Sequence, residues 1–316
     1  MLKIILILLF ISRFLQSLRA QYDYRGRDYV RQKAERLIFG LAMVKDNDMY
    51  RIMDEALAAG YRTFDTAQLY GNEAAVGQAL NTLLPKYRLN RQDVFVVSKV
   101  QPPNQGDRAD PSIVESLRKL NLGYIDLMLI HWPNASPDNP RNPYHHRMER
   151  RKTWMALEKY YALGLLKAIG VSNFHPHHLN DLLSYAKVFP AVDESESSLS
   201  YQTNDLLEYC ARKGIFFWAY TCQLRHDQAN LLNIVSKFTK IANKYKITPK
   251  MLEYIYALNR GMGVVMGASS PIHIKENRAL LNYKLQPEDM TALTLPNGTT
   301  GRKSIACGNI NLSSIL

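Results

Sequence analysis

Short apolar runs alternate with segments of helical periodicity over most of the chain. Between the runs, apolar residues recur every three or four positions, as they do on one face of a helix. A glycine follows several of these helical segments, which is a common way for a helix to end. The eight apolar runs cover residues 37–43, 62–67, 94–100, 125–132, 166–173, 190–195, 215–220 and 263–268.

This alternation predicts an α/β fold built on a buried parallel sheet, because continuous apolar strands need cover on both faces. Eight strand–helix units are the number that closes a TIM-type (β/α)8 barrel. No linker is recognisable between about residue 37 and residue 295. We therefore expect one barrel domain over residues 37–316.

Residues 1–20, MLKIILILLFISRFLQSLRA, form a separate hydrophobic segment. Its apolar run, residues 4–11, is too short to span a bilayer, so no stable membrane insertion is expected. The run resembles the core of a signal peptide, although the residues before Ala20 make a poor cleavage site. The lack of acidic residues also fits a transit peptide, and a misplaced start is a third explanation.

The cysteine content indicates the redox compartment of the protein and bears on whether it has a metal site. The sequence has three cysteines, Cys210, Cys222 and Cys307, and none of them has a CxxC partner. An odd, sparse set is not a disulfide framework, and it favours a reducing compartment. A cytoplasmic protein without a metal site is therefore expected, with secretory or organellar targeting left open by the first 20 residues.

The formal net charge is +12, and the basic stretch 145–152, HHRMERRK, carries much of it locally. A solvated basic surface is the ordinary explanation, and attraction of an anionic ligand is the functional one. No nucleic-acid recognition module is visible, so nucleic acid is not an expected partner.

Four ionisable residues follow or end the predicted strands. Asp65 ends the second run and Tyr70 lies on the loop above it, while Lys99 and His131 end the third and fourth runs. The carboxyl ends of barrel strands meet on one face, where the chemistry of such folds takes place. The four side chains are therefore expected to converge there, and a purely structural salt-bridge cluster is the alternative.

Such a cluster predicts proton transfer to a carbonyl oxygen. A free tyrosine has a pKa of about 10, and a nearby ammonium such as that of Lys99 lowers it. Asp65 would keep Lys99 charged and in place, and His131 would orient the oxygen that Tyr70 protonates. Since no nucleophile or metal cluster accompanies the set, the expected partner is a hydride donor, a nicotinamide cofactor.

The chain resembles the aldo-keto reductases. The matching stretches are GYRTFDTAQLYGNE, VVSKV, IDLMLIHWP, GLLKAIGVSNF and, more loosely, IKEN, which together run from about residue 37 to about residue 295. The resemblance implies a barrel that binds NADP(H) without a Rossmann fold, with NAD(H) as the second possibility.

The resemblance also implies residue roles. Tyr70 matches the proton donor of the family, and the rest of its catalytic set matches Asp65, Lys99 and His131. Positions that line the substrate pocket match His131 and Trp132. The residues that meet the nicotinamide match Ser172 and Asn173, which bind its carboxamide, and Tyr220, which stacks on its ring.

The chain departs from the family pattern at several cofactor positions. Glu194 stands where the family has a glutamine, and an ionised carboxylate there would favour the cationic, oxidised nicotinamide. A solvated glutamate without consequence is the alternative. The remaining candidates are Thr221, Arg225, Gly267 and Ser269 for the phosphates, and Glu276 and Asn277 for the adenine.

Two functions from different classes follow. The first is an enzyme, an NAD(P)H-dependent oxidoreductase that reversibly reduces an aldehyde or ketone, with Tyr70 giving the proton. The second is a catalytically weak or inactive binding protein that keeps the fold, which the altered cofactor segments favour. The intact acid–base set favours the enzyme. A monomer with an open pocket for small carbonyl compounds is expected.

Overall fold

The computed structural model describes residues 22–135, 142–220 and 232–295. In it, eight parallel strands close into a barrel in which each strand pairs with its neighbours in the sequence, and the last with the first. The strands are β1 (Leu37–Gly40), β2 (Thr63–Asp65), β3 (Phe95–Val100), β4 (Ile125–Ile130), β5 (Leu166–Ser172), β6 (Val192–Glu196), β7 (Phe216–Tyr220) and β8 (Gly263–Met266). The predicted TIM-type (β/α)8 barrel is confirmed.

Each strand lies in one of the eight predicted apolar runs, and only β6 extends beyond its run, by Glu196. Helices follow the strands as the periodicity predicted. Within the described residues they are α1 (Arg25–Lys33), α2 (Asp46–Ala58), α3 (Glu73–Lys86), α4 (Ala109–Leu120), α5 (Pro143–Ala162), α6 (Pro176–Leu183), α7 (Asn204–Lys213), α8 (Leu232–Lys244), α9 (Pro249–Asn259), α10 (Pro271–Ala279) and α11 (Pro287–Leu293).

Side chains fill the barrel interior. Phe95, Leu129 and Trp218 belong to a buried cluster inside the ring of strands. Trp218 pairs in register with Gly263, and a Cβ on that glycine would lie 2.4 Å from Cδ1 of the indole. Only a residue without a side chain leaves room for the indole there. The interior is therefore a packed core, and ligands can be held only at an end of the barrel.

Helix α1 covers the amino-terminal end of the barrel. Val30 is buried among the interior residues, and Tyr29 stacks on Phe95 at a centroid distance of 6.0 Å. The Tyr29 hydroxyl also donates a 2.6 Å hydrogen bond to Asp126 on β4. The segment before β1 had no recognisable structure in the sequence, and it closes the end of the barrel opposite the predicted site.

No helix of the described ranges is both long and apolar enough to cross a membrane. The hydrophobic segment 1–20 lies outside those ranges. Within them, no group of three or more His, Cys, Asp or Glu side chains is arranged to hold a metal ion. Cys210 is buried with a free thiol, whereas Cys222 and Cys307 lie outside the described residues.

Candidate active site

Lys99 and Asp65 form a fully buried ion pair at the carboxyl ends of β3 and β2. The Lys99 Nζ lies 2.5 Å from Oδ1 and 2.6 Å from Oδ2 of Asp65. The lysine has no solvent exposure, and a buried ammonium of this kind is stable only when it is paired. Burial alone lowers the pKa of Lys99, but the negative charge of Asp65 raises it overall, so Lys99 stays charged.

Tyr70 stands directly above this ion pair. It ends a short 3-10 turn, Gln68–Tyr70, and Gly71 follows with a left-handed φ of +72° that turns the chain into α3. The Tyr70 hydroxyl lies 3.4 Å from Lys99 Nζ, and the ammonium is 5.2 Å from the centre of the phenol ring. The predicted pairing of phenol and lysine is present.

Two residues that the sequence analysis did not single out fix this turn. The Gln68 amide donates to Ser116 Oγ at 2.9 Å and accepts from the backbone N–H of Gln101 at 3.1 Å. Asn72 is buried, donates to the carbonyl of Leu41 at 2.9 Å, and so ties the turn to the loop after β1. Their only signal in the sequence is a polar residue on each side of Tyr70.

His131 follows β4 and completes the group of four. Its ring lies perpendicular to that of Tyr70, with centroids 5.7 Å apart, and it stacks on Trp132 at 6.3 Å. His131 Nδ1 is buried and has no hydrogen-bond partner among the described residues. Burial, and then the charge of Lys99, lower the pKa of His131 well below its usual value, so the imidazole is neutral.

The pKa of Tyr70 differs from the prediction. The nearby ammonium of Lys99 does act to lower the pKa of the phenol, as expected. Burial raises that pKa by more, and Tyr70 titrates above its ordinary value. In the absence of ligand, Tyr70 is therefore a protonated phenol at neutral pH, held beside a fixed positive charge.

Glu194 belongs to the same cluster. It lies on β6, is 3% exposed, and its Oε1 is 3.2 Å from Lys99 Nζ. The alternative of a solvated glutamate is therefore wrong. Burial, and then the charge of Asp65, raise the pKa of Glu194 to about 8, so the carboxyl is mostly protonated at neutral pH. That state differs from the ionised Glu194 of the original hypothesis.

The predicted nicotinamide residues adjoin this cluster. Ser172 Oγ donates to the backbone carbonyl of Glu194 at 2.6 Å. Asn173 has a left-handed φ of +64°, and its amide donates to the His131 carbonyl at 3.0 Å and accepts from the Tyr220 hydroxyl at 2.6 Å. The structure thus joins Ser172, Asn173 and Tyr220 to the catalytic group through hydrogen bonds.

The candidates for phosphate and adenine binding lie beyond β8. Gly267 leaves the strand beside Gly40, whose carbonyl oxygen would be 3.2 Å from a Cβ at that position. Ser269 lies two residues before the start of α10, and Glu276 and Asn277 lie within that helix. Thr221 and Arg225 lie outside the described residues.

The basic stretch 145–152 is less available for binding an anionic ligand than its sequence suggested. It lies within α5, where Arg147 and Arg150 both bind Asp181, at 2.6 Å and 3.4 Å. Lys152 pairs with Asp107 at 2.7 Å. These partners offset much of the local charge, so an anion-binding role for the stretch loses its main argument.

The residues present fit a nicotinamide dinucleotide. Two buried polar atoms, His131 Nδ1 and Glu194 Oε2, have no hydrogen-bond partner among the described residues, so this end of the barrel retains polar groups that a ligand can use. Beyond β8, the turn at Gly267 leads into the amino terminus of α10, where backbone N–H groups favour phosphate.

Comparisons with known proteins agree with this geometry. The model of the Aldo/keto reductase family matches residues 36–295. The chain is 32% identical to a glyoxal reductase of Bacillus subtilis, over 82% of this chain and 88% of that protein. It is 33% identical to a D-galacturonate reductase of Hypocrea jecorina, over 79% and 82% of the two chains.

A solved structure extends the likeness to the fold. The Bombyx mori aldo-keto reductase in complex with NADP superposes with a TM-score of 0.70 at 27% identity, covering 81% of this chain and 87% of that chain. The eight-stranded barrel, the family match and the relatives point to the same conclusion. The chain belongs to the aldo/keto reductase family and is an NAD(P)H-dependent oxidoreductase.

Proposed function

We propose that this protein reversibly reduces small aldehydes and ketones to alcohols with NADP(H), and that Tyr70 is the proton donor. The observation that carries the proposal is the 3.4 Å contact between the Tyr70 hydroxyl and the buried ammonium of Lys99. A phenol held beside a fixed cation at the mouth of a barrel is suited to giving up a proton during a reaction. The inactive alternative has no structural feature in its favour at these four residues.

The roles of the acid–base group follow from its charges. Tyr70 is protonated before the reaction because burial raises its pKa. As the proton leaves, negative charge develops on the phenol oxygen, and Lys99 stabilises that charge without having to move. Asp65 holds Lys99 in place with both carboxylate oxygens. NADP(H), when bound, supplies the hydride that reduces the carbonyl carbon.

His131 orients the substrate in this proposal. Its imidazole is neutral, so it can donate a hydrogen bond to a carbonyl oxygen without adding a charge that competes with Lys99. Trp132 stacks beside it and offers an aromatic wall. Together they would present the carbonyl oxygen to the Tyr70 hydroxyl.

The cofactor contacts are divided between two regions. Ser172, Asn173, Glu194 and Tyr220 would hold the nicotinamide next to the acid–base group. The phosphates and adenine would be held by Thr221, Arg225, Gly267, Ser269, Glu276 and Asn277.

We place the substrate among small, polar aldehydes. Two relatives are named for glyoxal and for D-galacturonate, which are both small polar carbonyl compounds. The formal net charge of +12 favours the approach of anionic substrates and of the cofactor. We also propose a monomer in the cytoplasm, which size-exclusion chromatography with light scattering and cell fractionation would test.

The test is Tyr70→Phe. The variant removes one hydroxyl and keeps the ring above Lys99, so NADPH affinity should stay within about twofold of the parent. Turnover of a general aldehyde should fall by a factor of about 10² to 10⁴, the contribution typical of a positioned general acid. Steady-state turnover with NADPH and fluorescence titration of NADPH binding measure the two effects. A variant that keeps more than about half of the parental turnover would exclude Tyr70 as the donor.

A further inference from the structure

Lys99 connects two carboxyl groups across the interior of the barrel. Both oxygens of Asp65, on β2, lie within 2.6 Å of its Nζ. On the other side, Oε1 of Glu194, on β6, lies at 3.2 Å. The two carboxyl groups also lie close enough for the charge of Asp65 to act on the ionisation of Glu194. The exposures are 0% for Lys99, 1% for Asp65 and 3% for Glu194, so water does not screen the three groups.

The charges of this triad do not balance. Two ionised carboxylates and one ammonium would leave an extra negative charge in a buried place, which is costly. The favourable arrangement is a proton on one of the two carboxyls, which removes the extra negative charge. Asp65 contacts the ammonium at a shorter distance and through both oxygens. The ammonium therefore stabilises the ionised form of Asp65 more than that of Glu194. The proton therefore belongs on Glu194.

We propose that Glu194 is a positioning residue that holds a proton next to the Asp65–Lys99 pair and thereby sets how well Tyr70 gives up its own proton. The inference rests on the proposed role of Tyr70 as donor. While Glu194 is neutral, Asp65 alone balances Lys99, and the ammonium stabilises the phenolate that develops on Tyr70. Once Glu194 ionises, a second negative charge offsets Lys99 and opposes that phenolate, so proton donation slows.

Other ionisable groups around Glu194 do not supply an equivalent proton. His131 is already neutral, and Tyr220 titrates well above its usual range because burial raises its pKa. Glu196, two residues further along β6, lies near Tyr220 rather than in contact with Lys99. The ionisable groups that act on Glu194 are Asp65, Lys99, Tyr70 and Tyr220.

The test compares the parent with Glu194→Gln, which keeps the shape and the neutral, hydrogen-bonding character but cannot ionise. The matched control is Glu253→Gln. Glu253, on α9, is equally buried and accepts a 3.1 Å hydrogen bond from the Leu199 N–H. Both variants remove one buried carboxyl, and only one of them touches the triad.

Two readouts are needed. Infrared spectroscopy of the protein without cofactor should show the C=O stretch of protonated carboxylic acids, with a component that disappears as the pH rises through about 8 and is absent from Glu194→Gln. Glu253, whose pKa burial raises to about 7, adds a separate component that Glu253→Gln removes. Turnover in the reductive direction should fall at least about fivefold above that pH in the parent and in Glu253→Gln, and should lose this fall in Glu194→Gln.

The outcomes separate this proposal from the proposed function. If the infrared component that titrates at about pH 8 persists in Glu194→Gln, or if parent and variant share one pH profile, Glu194 does not hold the proton and the inference is overturned. If the band behaves as expected while Tyr70→Phe keeps parental turnover, the proton is on Glu194 but its effect through Tyr70 is refuted. Infrared data from protein without cofactor decide the first point whether or not the protein turns over.

Discussion

Lys99 is the residue on which the active site depends. It is a fully buried cation whose ammonium contacts Asp65, Glu194 and the Tyr70 hydroxyl, so it links the proposed proton donor to the two carboxyl groups. A buried pair of this kind is weak evidence for stability as such, but removing one partner leaves an uncompensated charge. Both the turnover and the stability of the protein are therefore expected to depend on the Lys99 side chain.

Lys99→Met should destabilise the protein by about 3–5 kcal/mol, because Asp65 then remains buried beside Glu194 without its cation. Turnover should fall together with stability, since the Tyr70 phenolate loses its stabilising charge. Urea unfolding at pH 7 measures the first effect, and steady-state kinetics measure the second.

Lys86→Met is the matched control for that substitution. Lys86 also contacts both oxygens of an aspartate, Asp54, at 2.7 Å, but its side chain is 50% exposed. Surface pairs contribute little, so stability and turnover should remain near those of the parent. Equal losses in the two lysine variants would contradict the role given to the buried pair.

Strand ends made most of this site predictable from the sequence. Asp65, Lys99 and His131 each end or follow an apolar run, and barrel geometry brings the ends of runs together. The contact between Glu194 and Lys99 could not be predicted in the same way. It crosses the barrel between β6 and β3, which are not neighbours, and local sequence does not specify how far a side chain reaches across the interior. The net pKa of Tyr70 was also missed, because it depends on the depth of burial.

At the scale of elements, the barrel is closed at one end by α1 and carries the group of Asp65, Tyr70, Lys99 and His131 at the other. Val30 enters the interior cluster, and Gly26 lies so close to β5 that a Cβ there would be 3.2 Å from Ala168 Cα. The strand and helix pattern was predictable because its periodicity is strong over eight repeats. Helix α1 was not, because its sequence is mostly polar and its burial depends on only a few residues.

Val30→Asp should destabilise the protein by more than about 2 kcal/mol. It removes the burial of a valine, which is worth about 1.5–3 kcal/mol, and introduces a desolvated carboxylate. Lys33→Asp, on the exposed side of the same helix, is the control and should have a much smaller effect. Thermal unfolding followed by circular dichroism distinguishes the two. Equal melting temperatures for both variants would show that α1 does not close the barrel.

At the scale of the whole molecule, the chain carries a formal net charge of +12. The basic face of α5 is largely paired with Asp181 and Asp107, so its charges act mainly through the overall field. A positive protein attracts an anionic dinucleotide over distances of about a Debye length, which is about 10 Å at 0.1 M salt. We therefore propose that the excess positive charge attracts the anionic cofactor and does not bind a separate partner.

The rate of NADPH association should fall severalfold when ionic strength rises from about 0.02 M to about 0.5 M, because salt screens this attraction. The dissociation rate should change much less. Stopped-flow quenching of protein fluorescence measures both rates. An association rate that does not respond to salt would show that the net charge has no part in binding the cofactor.

The most direct measurement of the central claim is turnover itself. A chain that retains α1, from residue 22 onward, is mixed with NADPH and a panel of small aldehydes that includes glyoxal, and the loss of NADPH absorbance is followed with time. We expect multiple turnovers that require the aldehyde and yield the corresponding alcohol. Tight NADPH binding without aldehyde-dependent oxidation across the panel would contradict it and would leave a barrel that binds the cofactor but does not act as a reductase.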